Sequence, residues 1–184
     1  MSKVVVVYHS GYGHTQRLAQ SVAQGANAEL ITIDAEGNVP DSAWDSLAAA
    51  DAIIFGSPTY MGTVSWQFKK FADATSKPWY TQAWKDKVFA GFTNSSNING
   101  DKASTLAYLH VLAMQHGGIW AGLGQSYHNT LASKRSDPNY LAANVGLMGQ
   151  TASDAPADKM DAGDLESARL FGQRVAEVAK KLRG

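Results

Sequence analysis

Residues 3–8 (KVVVVY) contain four consecutive valines, and the run stops abruptly at Ser10-Gly11-Tyr12-Gly13. A strand with one solvated face alternates apolar and polar residues, so unbroken apolarity points to a strand covered on both faces. Covering both faces requires helices on either side, and the chain supplies them in alternation. From Thr15, residues Leu18, Ala19, Val22 and Ala23 recur at helical spacing, which predicts a helix over 15–25 with Gly25 suited to its end. Further strands are predicted at 29–33, 52–56 (AIIFG), 87–92 (KVFAGF) and 119–123, separated by helices at 42–50, 64–74 and 103–115 and closed by a helix at 164–182. In the 64–74 helix, Trp66 and Phe68 cannot share one face.

Five strands alternating with five helices imply parallel strands joined by right-handed crossovers. The expected architecture is a single α/β domain over residues 1–184, a doubly wound five-stranded parallel sheet in three layers, α/β/α. Residues 124–163 break the rhythm: this stretch is rich in Ser, Asn, Asp and Gly, with only residues 145–148 strand-like. Tyr127, His128 and Tyr140 within it suggest an ordered lid.

Sixteen basic and sixteen acidic side chains cancel, and the balance holds in each half, so no face is marked for nucleic acid, an anionic membrane or a strongly charged partner. There is no cysteine, which excludes thiolate nucleophiles, disulfides and cysteine-ligated metal or iron–sulfur sites, and the cytoplasm is the expected compartment. The apolar run at 4–7 is too short for the core of a signal peptide, and no run approaches the ~20 residues of a membrane span. The five histidines show no metal-ligand spacing, and no G-x-S-x-G elbow is present.

Ligands of doubly wound sheets bind beyond the carboxyl ends of the strands, where strand order reverses. Three loops at those ends share one character: Ser10-Gly11-Tyr12-Gly13-His14-Thr15, then Ser57-Pro58-Thr59-Tyr60-Met61-Gly62-Thr63, and Thr93-Asn94-Ser95-Ser96-Asn97-Ile98-Asn99-Gly100. They offer hydroxyls, amides and close backbone approach, with no Lys or Arg before Lys102. The first loop joins a strand to a helix start, where free N–H groups and the helix dipole can hold a phosphate without a cation; an ordinary helix cap is the competing reading. No Lys follows Gly13, so this is not an ATPase-type phosphate loop. Gln16 stands where a dinucleotide fingerprint needs its third Gly or Ala, and Asp34 reads as a turn cap. Tyr60, Met61 and Trp79 are candidates for the face of a flat heterocycle, although each taken singly also fits as a packing residue. With hydrolytic and metal chemistry receding, a bound redox cofactor is expected to carry the reactivity.

The ordered set YHSGYGHT at 8–15, GSPTYMG at 56–62, the polar loop after the fourth strand and Gln115-His116-Gly117 resembles the WrbA family over nearly the whole chain. That resemblance implies a flavodoxin-like FMN protein acting as an NAD(P)H:quinone oxidoreductase, with a small-molecule quinone as partner and a homo-oligomeric state. It implies that Ser10, Gly11, Tyr12, Gly13, His14 and Thr15 hold the FMN phosphate, with Tyr12 also near the nicotinamide nucleotide. It implies further that Pro58, Thr59, Tyr60, Met61, Gly62 and Thr63, with Thr93, Asn94, Ser95, Ser96, Asn97 and Gly100, line the ribityl chain and ring. Gln115 and His116 fall by the flavin, and Trp79 sits over the substrate side. Trp79 and His116 are then the catalytic candidates, His116 as proton donor to a quinol oxygen because histidine ordinarily titrates near neutrality. Tyr60 and Met61 stand where the family usually has Arg and Phe, Gln115-His116 replaces a His pair, and the 34–44 segment is shorter than the family's insertion, which counts against its tetramer. A flavodoxin-type FMN electron carrier is the alternative, and a degenerate structural or regulatory module a third reading.

Overall fold

The computed structural model describes residues 2–127 and 130–183, so His128 lies outside the described residues. The chain opens with β1 (Val4–His9), α1 (His14–Ala26), β2 (Glu29–Ile33), α2 (Asp41–Ala49) and β3 (Ala52–Tyr60). It continues through β4 (Thr63–Val64), α3 (Trp66–Ala74), α4 (Ser76–Tyr80), β5 (Val88–Ser95) and α5 (Lys102–Gln115), and ends with β6 (Ile119–Trp120), β7 (Leu147–Gln150) and α6 (Ala162–Arg183). Strand order is β2-β1-β3-β5-β6, all parallel, with β7 also on β5 and the short β4 antiparallel to β3. This is the flavodoxin-like order, and its reversal falls between β1 and β3.

The valine run of β1 is buried at every position, and its two faces feed two cores. Val4, Val6 and Tyr8 pack with Ile54, Ala90 and Phe92 against Leu18 and Val22 of α1 and Phe171 and Val175 of α6. Val5 and Val7 pack with Ile53, Phe55 and Phe89 against Leu47, Phe68, Phe71 and Leu109 of the opposite helices. In α3, Phe68 and Phe71 take the inner face while Trp66 stays exposed, the split required by their spacing. No helix is long and apolar enough to cross a membrane among the described residues.

Two expectations change. Gly25 does not end α1, which runs to Ala26 with Asn27 in the left-handed conformation as its cap. Gly25 is there because α6 crosses so closely that a Cβ would lie 1.8 Å from the Arg169 carbonyl oxygen, just as one at Gly172 would lie 2.0 Å from that of Val22. The fifth position of the sheet is also split: β6 pairs with Val88 and Phe89, and β7, far on in sequence, pairs with residues 92–95 at the other end of the same strand. The stretch expected to be a lid therefore contributes an edge strand. Its Arg135 grips the Asp164 carboxylate with two hydrogen bonds of 2.8 and 2.6 Å and lies 5.7 Å from the ring of Tyr140. Buried Asn139 fixes the turn before β7 through bonds to Gln125 and Ala143.

The helix crossing yields a direct check. Gly172→Ala should destabilise the protein by about 1–3 kcal/mol through overpacking, read as a lowered urea midpoint at unchanged slope.

Candidate functional site

Parallel pairing aligns the strand ends. Tyr8 lies opposite Gly56, Pro58 opposite Asn94, and Ser95 opposite Gln150, so the loops after β1, β3, β5 and β7 emerge side by side along one edge. Between them lies a cavity of about 600 Å³, within the ~300–1,000 Å³ usual for small-molecule sites. Its lining holds Ser10, Tyr12, His14 and Thr15 from the first loop, residues 58–62 from the second, and Asn94, Ser95, Ser96, Asn97 and Gly100 from the third.

The first loop turns on Gly13, whose φ of +87° is open to glycine at little cost. The Gly13 N–H donates to Ser10 Oγ at 3.1 Å, and no side chain caps the start of α1. The free N–H groups of that first turn make an anion site without a cation. His14 binds from the other side: a carbonyl can only accept, so its Nε2–H donates to Ala155 O at 2.7 Å. Gly11 lies beneath Tyr60, whose hydroxyl would be 2.5 Å from any Cβ there. Burial raises the Tyr60 phenol above its usual range. Tyr12 meets the Tyr60 ring edge-on at 6.3 Å and is itself 78% exposed at the mouth.

The second loop is a two-residue hairpin between β3 and β4, with Met61 at φ +48° and Gly62 at φ +86°, the pattern of a type I′ turn. A left-handed Met costs on the order of 1 kcal/mol, and its side chain is fully exposed at the cavity edge. Buried hydroxyls hold the turn from below. Ser57 Oγ accepts from Ser65 N–H at 3.0 Å, Ser65 Oγ meets His9 Nδ1 at 2.8 Å, and Thr59 bonds Thr93 and Thr105 at 2.8 Å each. Thr93 thus braces the floor rather than lining the cavity, and Thr63 lies in a neighbouring groove with Trp66.

Three expected residues lie elsewhere. Trp79, Gln115 and His116 line a separate small cavity that shares no residue with the large one. His116 is 1% exposed and packs against Trp84, the ring centroids 4.6 Å apart and the planes tilted by 36°. Thr75 donates its hydroxyl to Ala72 O at 2.6 Å, so at 3.0 Å it accepts the Nε2–H of His116, which leaves Nδ1 as a bare, buried lone pair. Burial brings the imidazole down to about 4. Within one chain His116 therefore lies outside the large cavity, buried and with its N–H engaged by Thr75.

Thr151 and Ser153, absent from the sequence reading, complete the lining after β7. Their signal was present, since a Thr and a Ser follow a strand end as in the other loops, but the strand is only four residues long. Asp34 is the turn cap expected, accepting the N–H groups of Glu36 and Asn38 at 3.0 and 2.7 Å. A cavity lined without Lys or Arg, with an uncapped helix start at one end and a hairpin and amide loop at the other, suits FMN: phosphate at the N–H groups, ring between residues 58–62 and 94–100.

The buried histidine sets a pH dependence. His116 takes its proton near pH 4 when folded and near 6.5 when unfolded, so between those values the unfolded chain binds more protons and stability falls as pH is lowered. His116→Gln should flatten that part of the apoprotein's urea-midpoint profile, whereas a His116 imidazole titrating near 6.5 by NMR would contradict the assignment.

Residues 3–127 match the family described as NADPH-dependent FMN reductase. Over 182 residues the chain is 57% identical to Flavodoxin FldP of Pseudomonas aeruginosa (strain UCBPP-PA14), covering 99% of each. It is 32% identical to an NAD(P)H dehydrogenase (quinone) of Syntrophobacter fumaroxidans (strain DSM 10017 / MPOB), covering 98% of each. The solved flavodoxin, WrbA-like protein from Agrobacterium tumefaciens superposes with a TM-score of 0.83 at 54% identity, over 98% of this chain and 99% of that one. With the family match spanning residues 3–127 and these likenesses running through nearly all of the chain, the protein belongs to the NADPH-dependent FMN reductase family, as a WrbA-like FMN protein of flavodoxin fold.

Proposed function

We propose that the chain is an oxidoreductase that uses FMN to pass two electrons from NAD(P)H to a quinone. The observation that carries this reading is the open, uncharged cavity at the switch point, rimmed by exposed Tyr12 and Met61. Flat, neutral acceptors are met by aromatic and thioether surface, which such a rim provides. When bound, FMN supplies hydride acceptance and donation, and the protein's part is to hold it and leave one face open. The N–H groups after Gly13 and the hydroxyls of Ser10 and Thr15 would take the phosphate, and the 58–62 hairpin and the 94–100 loop would hold the ring. The name of the relative from Syntrophobacter supports the same assignment.

A second reading, an electron carrier that needs a separate reductase, is favoured by the name of the Pseudomonas relative, Flavodoxin FldP. Carriers find their partners through charge complementarity, and a chain with sixteen basic and sixteen acidic residues lacks the net charge that would steer it. Anaerobic mixing of FMN-loaded protein with NADH or NADPH decides between the two. Bleaching of the flavin followed by recovery on adding benzoquinone is the expected outcome. Flavin unresponsive to both nicotinamides, yet reduced once a separate reductase is supplied, establishes the carrier.

A further inference from the structure

Lys102 opens α5 directly behind the loop of residues 95–100, and its side chain is completely buried. Lysine is almost never fully buried without compensation, so its partners are informative. Its Nζ donates to the Asn97 carbonyl at 2.6 Å and to Ser95 Oγ at 2.8 Å, and the Ser95 hydroxyl donates to the same carbonyl at 3.1 Å. Ammonium, hydroxyl and carbonyl thereby close a ring across the base of the loop. The backbone is shaped to allow it: Gly100 has φ +54°, and a Cβ there would lie 2.2 Å from Ser95 Oγ. With the Asn97 carbonyl tied to Lys102, the N–H groups of residues 96–100 have no backbone or side-chain acceptor among the described residues. Those donors remain available to a ligand in the cavity that this loop lines.

The ammonium also places a charge directly behind an uncharged cavity wall, on the lining residues Ser95 and Asn97. The groups that face it are Asp164 from α6, which favours its charged form, and Arg135, which opposes it. Asp164 is engaged elsewhere, by Arg135 at 2.6 Å and by the Gln150 N–H at 2.8 Å, so it does not cancel the lysine by direct pairing. Burial is the larger influence and brings Lys102 down to about 8.

Resting on the FMN reading above, we propose that Lys102 is a positioning residue that holds the 95–100 loop in its flavin-binding shape. Its fixed positive charge behind the loop also favours reduced over oxidised flavin. Reduction adds negative charge to the flavin, and a cation at short range in a poorly solvated wall attracts that charge strongly. Deprotonation removes both the charge and one donor. FMN affinity should therefore fall as pH rises through about 8, by at most tenfold per pH unit for a single linked proton.

The test uses FMN titration of the apoprotein by fluorescence, from pH 7 to 9.5, with the midpoint potential of the bound flavin measured at pH 7. Lys102→Met removes donors and charge at similar volume, and Lys102→Gln restores donors without charge. Lys102→Met is expected to weaken FMN binding about ten- to a hundredfold at pH 7 and to abolish the alkaline fall in affinity. Lys102→Gln should recover part of the affinity, and both variants should show a more negative potential than wild type. Apoprotein stability runs the opposite way with pH: the folded lysine releases its proton near 8 and the unfolded one near 10.5, so folded stability rises over that window. A fall in affinity caused by alkaline unfolding is thus recognisable. Wild-type affinity and potential in both variants, or a loss of binding that merely tracks unfolding, overturns the proposal. Wild-type protein that takes up no FMN at any pH overturns the FMN reading itself.

Discussion

Burial of both faces of the sheet is the constraint on which the rest depends. Because β1, β3 and β5 must be apolar on both sides, they run parallel in register with helices above and below, and their carboxyl ends reach one edge together. Once that register exists, loops that are distant in sequence become neighbours, and the cavity between them needs no further element to bring it about. The hydroxyls beneath it, from Ser57, Ser65, Thr59, Thr93 and Thr105, brace the strand ends by bonding one another in a largely buried region.

The cavity handles charge in an unusual division of labour. Its lining is neutral, so an anionic phosphate is met by oriented N–H groups, which cannot wander or lose a proton in the physiological range. A full charge stands one layer back, on Lys102, held by the loop whose residues it bonds. A second layer, Arg135 with Asp164, ties the start of α6 to β7 through the Gln150 N–H.

The strands with buried runs, the helices with clear periodicity and the three loops at strand ends were legible in the sequence because each carries a repeating or concentrated signal. The split fifth strand was not, since β6 has two residues and β7 four, too few for any period to show. Gly25 reads locally as a helix stop, and only the crossing of α6 reveals that its missing side chain serves packing. Lys102 at a helix start looks like a solvated residue, and His116 looks like a titrating one. Both are decided by burial, which comes from tertiary neighbours and leaves no local trace. Thr151 and Ser153 were missed along with the strand that precedes them.

The split edge also bears on how the molecule is put together in time. Three walls of the cavity are present in the first hundred residues, but the fourth arrives with β7, and His14 gains its carbonyl partner only from Ala155. Closing the intervening 121–146 excursion adds a loop-entropy cost that grows only slowly with its length, so the excursion can be long without weakening the fold much. It nonetheless places the last contribution to the pocket late on the ribosome, after most of the sheet has emerged. Without β7 and the residues that follow it, the cavity lacks Thr151, Ser153 and the Ala155 carbonyl that holds His14, so a wall of the pocket depends on residues fifty or more positions beyond the loops it faces.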